Sequence, residues 1–270
     1  MDFNSLTEHS RVLLDRFKCL LPRRLEVDSI LKALPRRKIE GKVLLDIGMP
    51  SPVMSALLRE HGGAWASLAR SPENAAEASG FLGVEVACLG AGGEVPFEQH
   101  SFDVVVVSLG ILVAMENPEF FIKECHRVLK TSGELIISTQ YKKSFSIVNL
   151  MRRRAATGRD ALISRAYTER GLFSFLKNGF DVMGEDFYSG FFVELVRIRE
   201  YRLTMAGVDE AEICKDLRWR YNLAAQLDFF TFWSKGFVIL VHAKRHQWRE
   251  RTVPVLADGR KIQEAVLTHG

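Results

Sequence analysis

The chain has 270 residues, 47% of them hydrophobic and 26% charged, which suits one large α/β domain with additions. Its formal net charge of +4 is too mild for general nucleic-acid binding. Residues 1–5 lack the basic-then-apolar order of a signal peptide, and the uncharged run Val104 to Met115 is too short to span a bilayer.

Residues 1–40 read as a helical lead. Leu13, Leu14, Phe17, Leu20 and Leu21 recur at helical spacing, Pro22 interrupts, and Leu25 to Leu34 forms a second amphipathic segment. From residue 41 strands and helices alternate. The apolar run Val43-Leu44-Leu45 continues into Asp46-Ile47-Gly48 as a buried parallel strand, and a helix follows at 53–61. A strand Ala64 to Leu68 leads to a helix opened by Ser71-Pro72-Glu73, a favoured N-cap and N1 pair. Strands Val84 to Cys88 and Val104 to Val107 come next, then a helix Pro118 to Leu129. A turn at Lys130-Thr131-Ser132-Gly133 delivers the strand Glu134 to Ser138. A basic connector covers 141–166, followed by a helix at 168–178 and a strand from Gly179-Phe180. A helical insertion fills 190–234, the last strand is Phe237 to Val241, and 246–270 read as a polar surface tail. Such alternation is the pattern of a mostly parallel sheet between helical layers.

Cys19, Cys88, Cys125 and Cys214 are scattered without a CxxC pair, which argues for free thiols in a reducing cytoplasm. His242 and His246 are four apart but lack an acidic partner in the sequence, so no metal is expected.

Four segments together resemble the class I S-adenosylmethionine-dependent methyltransferases over about residues 40–245. Val43 to Gly48 is similar to that family's first strand and loop. Val95-Pro96-Phe97 with Ser101-Phe102-Asp103-Val104-Val105 resembles its approach to strand four. His126-Arg127-Val128-Leu129-Lys130 with Gly133-Glu134-Leu135-Ile136-Ile137 resembles its helix, turn and strand five, and Tyr167-Thr168-Glu169 with Gly179-Phe180 its entry to strand six. The resemblance implies a three-layer sandwich around a seven-stranded, mostly parallel sheet, the Rossmann-like methyltransferase fold. It places the last strand antiparallel beside the sixth.

The resemblance also implies S-adenosylmethionine as cofactor, with Asp46 and Gly48 at matching positions and the N–H groups of Met49 and Ser51 as donors. The chain departs from the family elsewhere. Pro50 and Pro52 stand where further glycines belong, and proline fixes φ and removes a donor. Ala69, followed by Arg70, stands where a carboxylate meets the ribose. Ala91 stands near the adenine position, and Leu112-Val113-Ala114 replace a polar segment after strand four. Glu85, Glu94 or Glu116 take such roles only in a shifted register.

Two functions follow. The first is a divergent methyltransferase acting on a small molecule, glycan or lipid precursor. The second is a non-catalytic binding or scaffolding module beside a protein partner, a pseudoenzyme without the cofactor site. Acid–base candidates are Tyr141, at the end of strand five, Tyr167 and His126, with Tyr188 and Glu194 as secondary candidates. Lys142, Lys143, Arg152, Arg153, Arg154 and Arg165 of the connector form a basic, amphipathic lid suited to an anionic substrate or an anionic membrane surface.

Overall fold

The computed structural model describes residues 8–34, 39–143, 146–155, 166–231 and 234–249; the side chains of 153–155 and 210 lie outside the description. In β1 (Val43–Ile47), β4 (Phe102–Val107) and β5 (Leu129–Gln140) both faces are apolar, as a sheet covered by helices requires. Leu45, Ile47, Val105, Val107, Leu135 and Ile137 point to one face, and Leu44, Val104, Val106 and Ile136 to the other. With β2 (Ala64–Ala69), β3 (Ala87–Cys88), β6 (Phe180–Tyr188) and β7 (Val238–Arg245) the sheet order is β3-β2-β1-β4-β5-β7-β6. β1 to β5 pair in parallel; β7 is antiparallel to both β5 and β6, as the resemblance implies.

The N-terminal lead is part of the sandwich. After α1 (Glu8–Cys19), α2 (Leu21–Ala33) takes Pro22 into its first turn, where no N–H is missed, and buries Ile30 and Leu34 against Leu44, Val104 and Leu240. On the same face lies α3 (Pro52–Glu60), with Leu58; α4 (Pro72–Leu82) is capped by the Ser71 hydroxyl, which accepts from Asn74 N at 3.3 Å. The opposite face carries α5 (Ile111–Ala114), α6 (Pro118–Val128), with Phe121, Ile122 and Cys125, and α8 (Glu169–Leu176), with Leu172 and Leu176; α7 (Ile147–Ala155) precedes α8.

Four local expectations change. β3 keeps only two residues, because only Ala87 and Cys88 find partners, in Leu68 and Ala69, while Val84 is exposed. The turn at 130–133 is a bulge inside β5: pairing jumps from Phe102–Leu129 to Val104–Glu134, with Ser132 at φ +61°. The insertion is two helices, α9 (Phe191–Met205) and α10 (Glu210–Phe229), parted by Gly207 at φ +71°. The tail begins packed, with Trp248 over His126 and His246 N donating to Gly179 O at 2.9 Å; residues 250–270 lie outside the described residues.

Candidate active site

Ligands of open α/β sheets bind beyond the carboxyl ends of the strands, where the strand order reverses; here that point lies between β1 and β4. Asp46, the penultimate residue of β1, is buried. Its carboxylate accepts from Ser55 Oγ at 2.9 Å, Ser67 Oγ at 2.6 Å and Arg59 Nη1 at 3.3 Å. Burial raises its pKa, and the two hydroxyls and Arg59 offset that only in part. Asp46 thus ties β1 to α3 and β2. Asp46→Asn presents an NH2 group to one of these donors, and urea denaturation at neutral pH should show a loss of about 1–2 kcal/mol. An unchanged midpoint would show that the three contacts contribute nothing.

Gly48 follows at φ +71°, and its N–H donates to Leu68 O at 2.7 Å. A Cβ there would lie 2.1 Å from Ile111 Cδ1, so the packing of α5 itself requires glycine. Met49 is half-buried and Pro50 exposed; Ser51 is buried, and its hydroxyl makes no hydrogen bond. The cavity against Met49, Pro50, Pro52 and Ala69 has a volume of only about 40 Å³, far below the roughly 300–1,000 Å³ of a ligand site.

The family's pose for S-adenosylmethionine does not fit these residues. Ala69, 9% exposed, offers the ribose no acceptor. Leu112 and Val113 are buried in the core, and Glu94 turns back to accept from Gly92 N at 2.9 Å. Among the described residues no cluster could hold a metal ion.

A larger cleft, about 370 Å³, opens beside this loop. Arg70 after β2, Gly110 after β4 and Gln140 at the end of β5 form its floor, and α1, α2, α7, α9 and α10 supply its walls. Glu26 of α2 anchors the wall to the sheet: its Oε1 accepts from Ser108 Oγ at 2.8 Å and Leu109 N at 2.7 Å. Burial raises the pKa of Glu26 against these two bonds.

Across the cleft Glu194 of α9 is also buried. It pairs with Arg152 of α7 and, at 3.2 Å, with Arg197, and accepts from Ser189 Oγ at 2.5 Å. Burial alone would raise this carboxyl, but Arg197, Arg152 and Ser189 outweigh it and hold its pKa below the usual value. Glu200 accepts from the Tyr221 hydroxyl.

The residues expected from sequence are dispersed. The Tyr141 hydroxyl donates to Glu169 Oε1 at 3.2 Å, with its ring edge-on to Phe187. The Tyr167 hydroxyl reaches Leu112 O at 3.5 Å; neither tyrosine lines the cleft. α6 runs back along the sheet, so His126 near its end lies at the strands' amino edge, packed edge-on against Phe180 and Trp248. The Tyr188 hydroxyl is buried beside Ser138, away from the cleft lining.

Of the connector, Arg152 alone among the described side chains lines the cleft, from a buried position rather than a solvated lid. Lys142 is exposed, and Lys143 stacks 4.0 Å over Phe237 while donating to Ser234 Oγ. The side chains of Arg153 and Arg154, and all of Arg165, lie outside the described residues. Sequence reading missed Arg16, Arg23, Glu26 and Arg197 because no motif marks them; they converge only after α1, α2 and α9 dock.

All four cysteines are unpaired. Cys19 donates to Cys214 O at 2.8 Å, and burial pushes its thiol up to about 12. His242 meets Glu134 Oε2 at 2.8 Å across the β5–β7 pair. Among the described residues no helix is long and apolar enough to cross a membrane.

The family model "Methyltransferase domain" matches residues 45–137, from β1 to β5. No curated protein matches. Among solved structures, the chain is similar to a putative methyltransferase from Bacillus halodurans C-125 (14% identity, 80% of this chain and 98% of that one, TM-score 0.57). It is similar to the [4+2]-cyclase SpnF (18%, 82% and 80%, TM-score 0.55). It is also similar to a chain of the complex between the Haloferax volcanii Trm112 methyltransferase activator and the putative methyltransferase (16%, 89% and 99%, TM-score 0.55). At these identities the structures establish the fold. The family model matches only the segment from β1 to β5, and the chain as a whole has a Rossmann-like fold of the kind seen in the methyltransferase structures.

Proposed function

We propose that the chain is a divergent S-adenosylmethionine-dependent methyltransferase acting on a small molecule, such as a glycan or lipid precursor, with its cofactor in a pose other than the family's. The observation that carries this reading is the cleft of about 370 Å³ at the carboxyl edge of β2, β4 and β5, where the matched segment contributes Arg70 and Gly110 and the flanking helices contribute the walls. Group transfer needs the acceptor aligned and water excluded. The walls from α1, α2, α9 and α10 serve both needs, and the Glu26 bonds to Ser108 and Leu109 fix them over the strand ends. No base is assigned: Glu194 and Glu200, the carboxylates of the cleft, are engaged by arginines and by Tyr221.

The second reading is a non-catalytic binding module. Ala69 and the Pro50, Pro52 pair favour it, since they remove an acceptor and two donors where the family holds its cofactor. The SpnF likeness is a reminder that this fold serves chemistry other than methyl transfer. Titration calorimetry with S-adenosylmethionine and S-adenosylhomocysteine decides between them. Saturable heat at micromolar to millimolar ligand is expected for the enzyme; no heat and no thermal shift at millimolar ligand would sink it and leave the module.

A further inference from the structure

We infer that the cleft between α2, α7 and α9 is a binding site for the phosphate or diphosphate group of a small molecule, held by Arg23, Arg70, Arg152 and Arg197. Five arginines line the cleft, Arg16 being the fifth, against two glutamates. The glutamates are committed within the fold, Glu194 to Arg152, Arg197 and Ser189, Glu200 to Tyr221. Leaving Arg16 aside, the other four arginines against the two glutamates give a formal surplus of two positive charges facing a space large enough for a ligand.

Two buried polar atoms are left without partners at the same place. Arg152 is 3% exposed, and its Nη1 makes no hydrogen bond, although Nη2 pairs with Glu194. Gln140, 4% exposed on the floor, has an unpaired Oε1; as an acceptor it suits a hydroxyl of the ligand's organic part rather than the anion itself. No hydrogen bond or ion pair to a described residue holds the Arg23 guanidinium, which lines the same wall. An unpaired buried donor on a charged group is costly, and the cost is relieved when an anion accepts from it.

The anion's class follows from charge and shape. A single carboxylate would leave one of the two surplus charges uncompensated, whereas a phosphate monoester carries about −1.5 to −2 and a diphosphate more. The planar fork of guanidinium matches phosphate oxygens two at a time. Arg70 sits just beyond Ala69, where the family would place an acid, so the sign of the site is reversed at that strand end.

This assignment deepens the proposed function by naming the substrate class, but it rests on the cleft and not on methyl transfer. Its test needs no cofactor: calorimetry at low salt with inorganic pyrophosphate, orthophosphate and acetate as probes. Pyrophosphate is expected to bind at least tenfold more tightly than acetate. Arg23→Gln and Arg70→Ser should each weaken it at least tenfold; Arg70 is exposed, so its variant keeps the test open should the first fail to fold.

Co-sedimentation with phosphatidylcholine vesicles, with and without phosphatidate, separates the sources. Phosphatidate-dependent pelleting that Arg23→Gln abolishes identifies a lipid headgroup; pyrophosphate binding without pelleting identifies a soluble phosphate ester. Absent saturable pyrophosphate heat, or binding that ignores both substitutions, overturns the site whether or not S-adenosylmethionine binds.

Discussion

Glu194→Ala should destabilise the protein by about 3–5 kcal/mol, the range for breaking a buried ion pair from one side. The carboxylate is 1% exposed and is the partner of both Arg152 and Arg197. Its removal leaves Arg152 with no acceptor at either nitrogen of its fork, in a cleft already rich in positive charge. Urea denaturation measures the loss, and Glu194→Ala with Arg152→Met should recover part of it, because the more deeply buried of the two stranded charges is gone and only Arg197 has lost its partner. A single variant within 1 kcal/mol of the parent would contradict the pairing.

The acid side adds a second readout. The folded pKa of Glu194 lies below its ordinary 4.5. Its contribution is therefore complete above the unfolded value and is lost as pH falls below about 4.5 through the folded pKa. The parent should show this loss and Glu194→Ala should lack it. Asp46 and Glu26 have the opposite sign: their folded pKa values are raised, so the native state takes up their protons first and acid favours it.

Gly48→Ala should cost roughly 2–5 kcal/mol, from left-handed backbone strain of about 1–2 and overpacking of about 1–3. Both causes are local. Gly48 holds φ +71°, and the added methyl would lie 2.1 Å from Ile111 Cδ1 and 2.4 Å from Cγ1. Because part of the cost is a flexible side chain, Gly48→Ala combined with Ile111→Ala should relieve the clash and keep the strain. Thermal denaturation separates the terms. Because Ile111→Ala has its own cost, the comparison is with that single variant: Gly48→Ala should cost less in the Ile111→Ala background than in the parent, and an equal cost in both would assign the whole effect to backbone strain.

The fold was legible because its signals are local and repeated. Val43 to Gly48, Phe102 to Val107 and Leu135 to Ile137 are apolar runs with capped helices between them, and pattern and packing agree. The bulge at Ser132 looked like a turn because the residues of a positive-φ bulge are those of a turn. The site was less legible. Asp46 and Gly48 stand at family positions, yet the carboxylate is occupied by Ser55, Ser67 and Arg59 and the glycine by Ile111. The cleft's arginines come from α1, α2, α7, α9 and the loop after β2, and no spacing rule joins segments so far apart. Tyr141 was singled out by its place at a strand end, but its side chain turns to Glu169.

The position of β7 has a consequence for the order of assembly during synthesis. The last strand made lies between β5 and β6, pairing Glu134 to Gln140 on one side and Phe180 to Tyr188 on the other. A nascent chain that has emerged only through α10 can pair β1 to β5, but β6 has no neighbour in the sheet. α9 and α10 can already meet α1, α2 and α7, but β6, which precedes them, has no place in the sheet until β7 arrives. The sheet is therefore zipped shut from its middle: β7 joins β6 to the strands made before it.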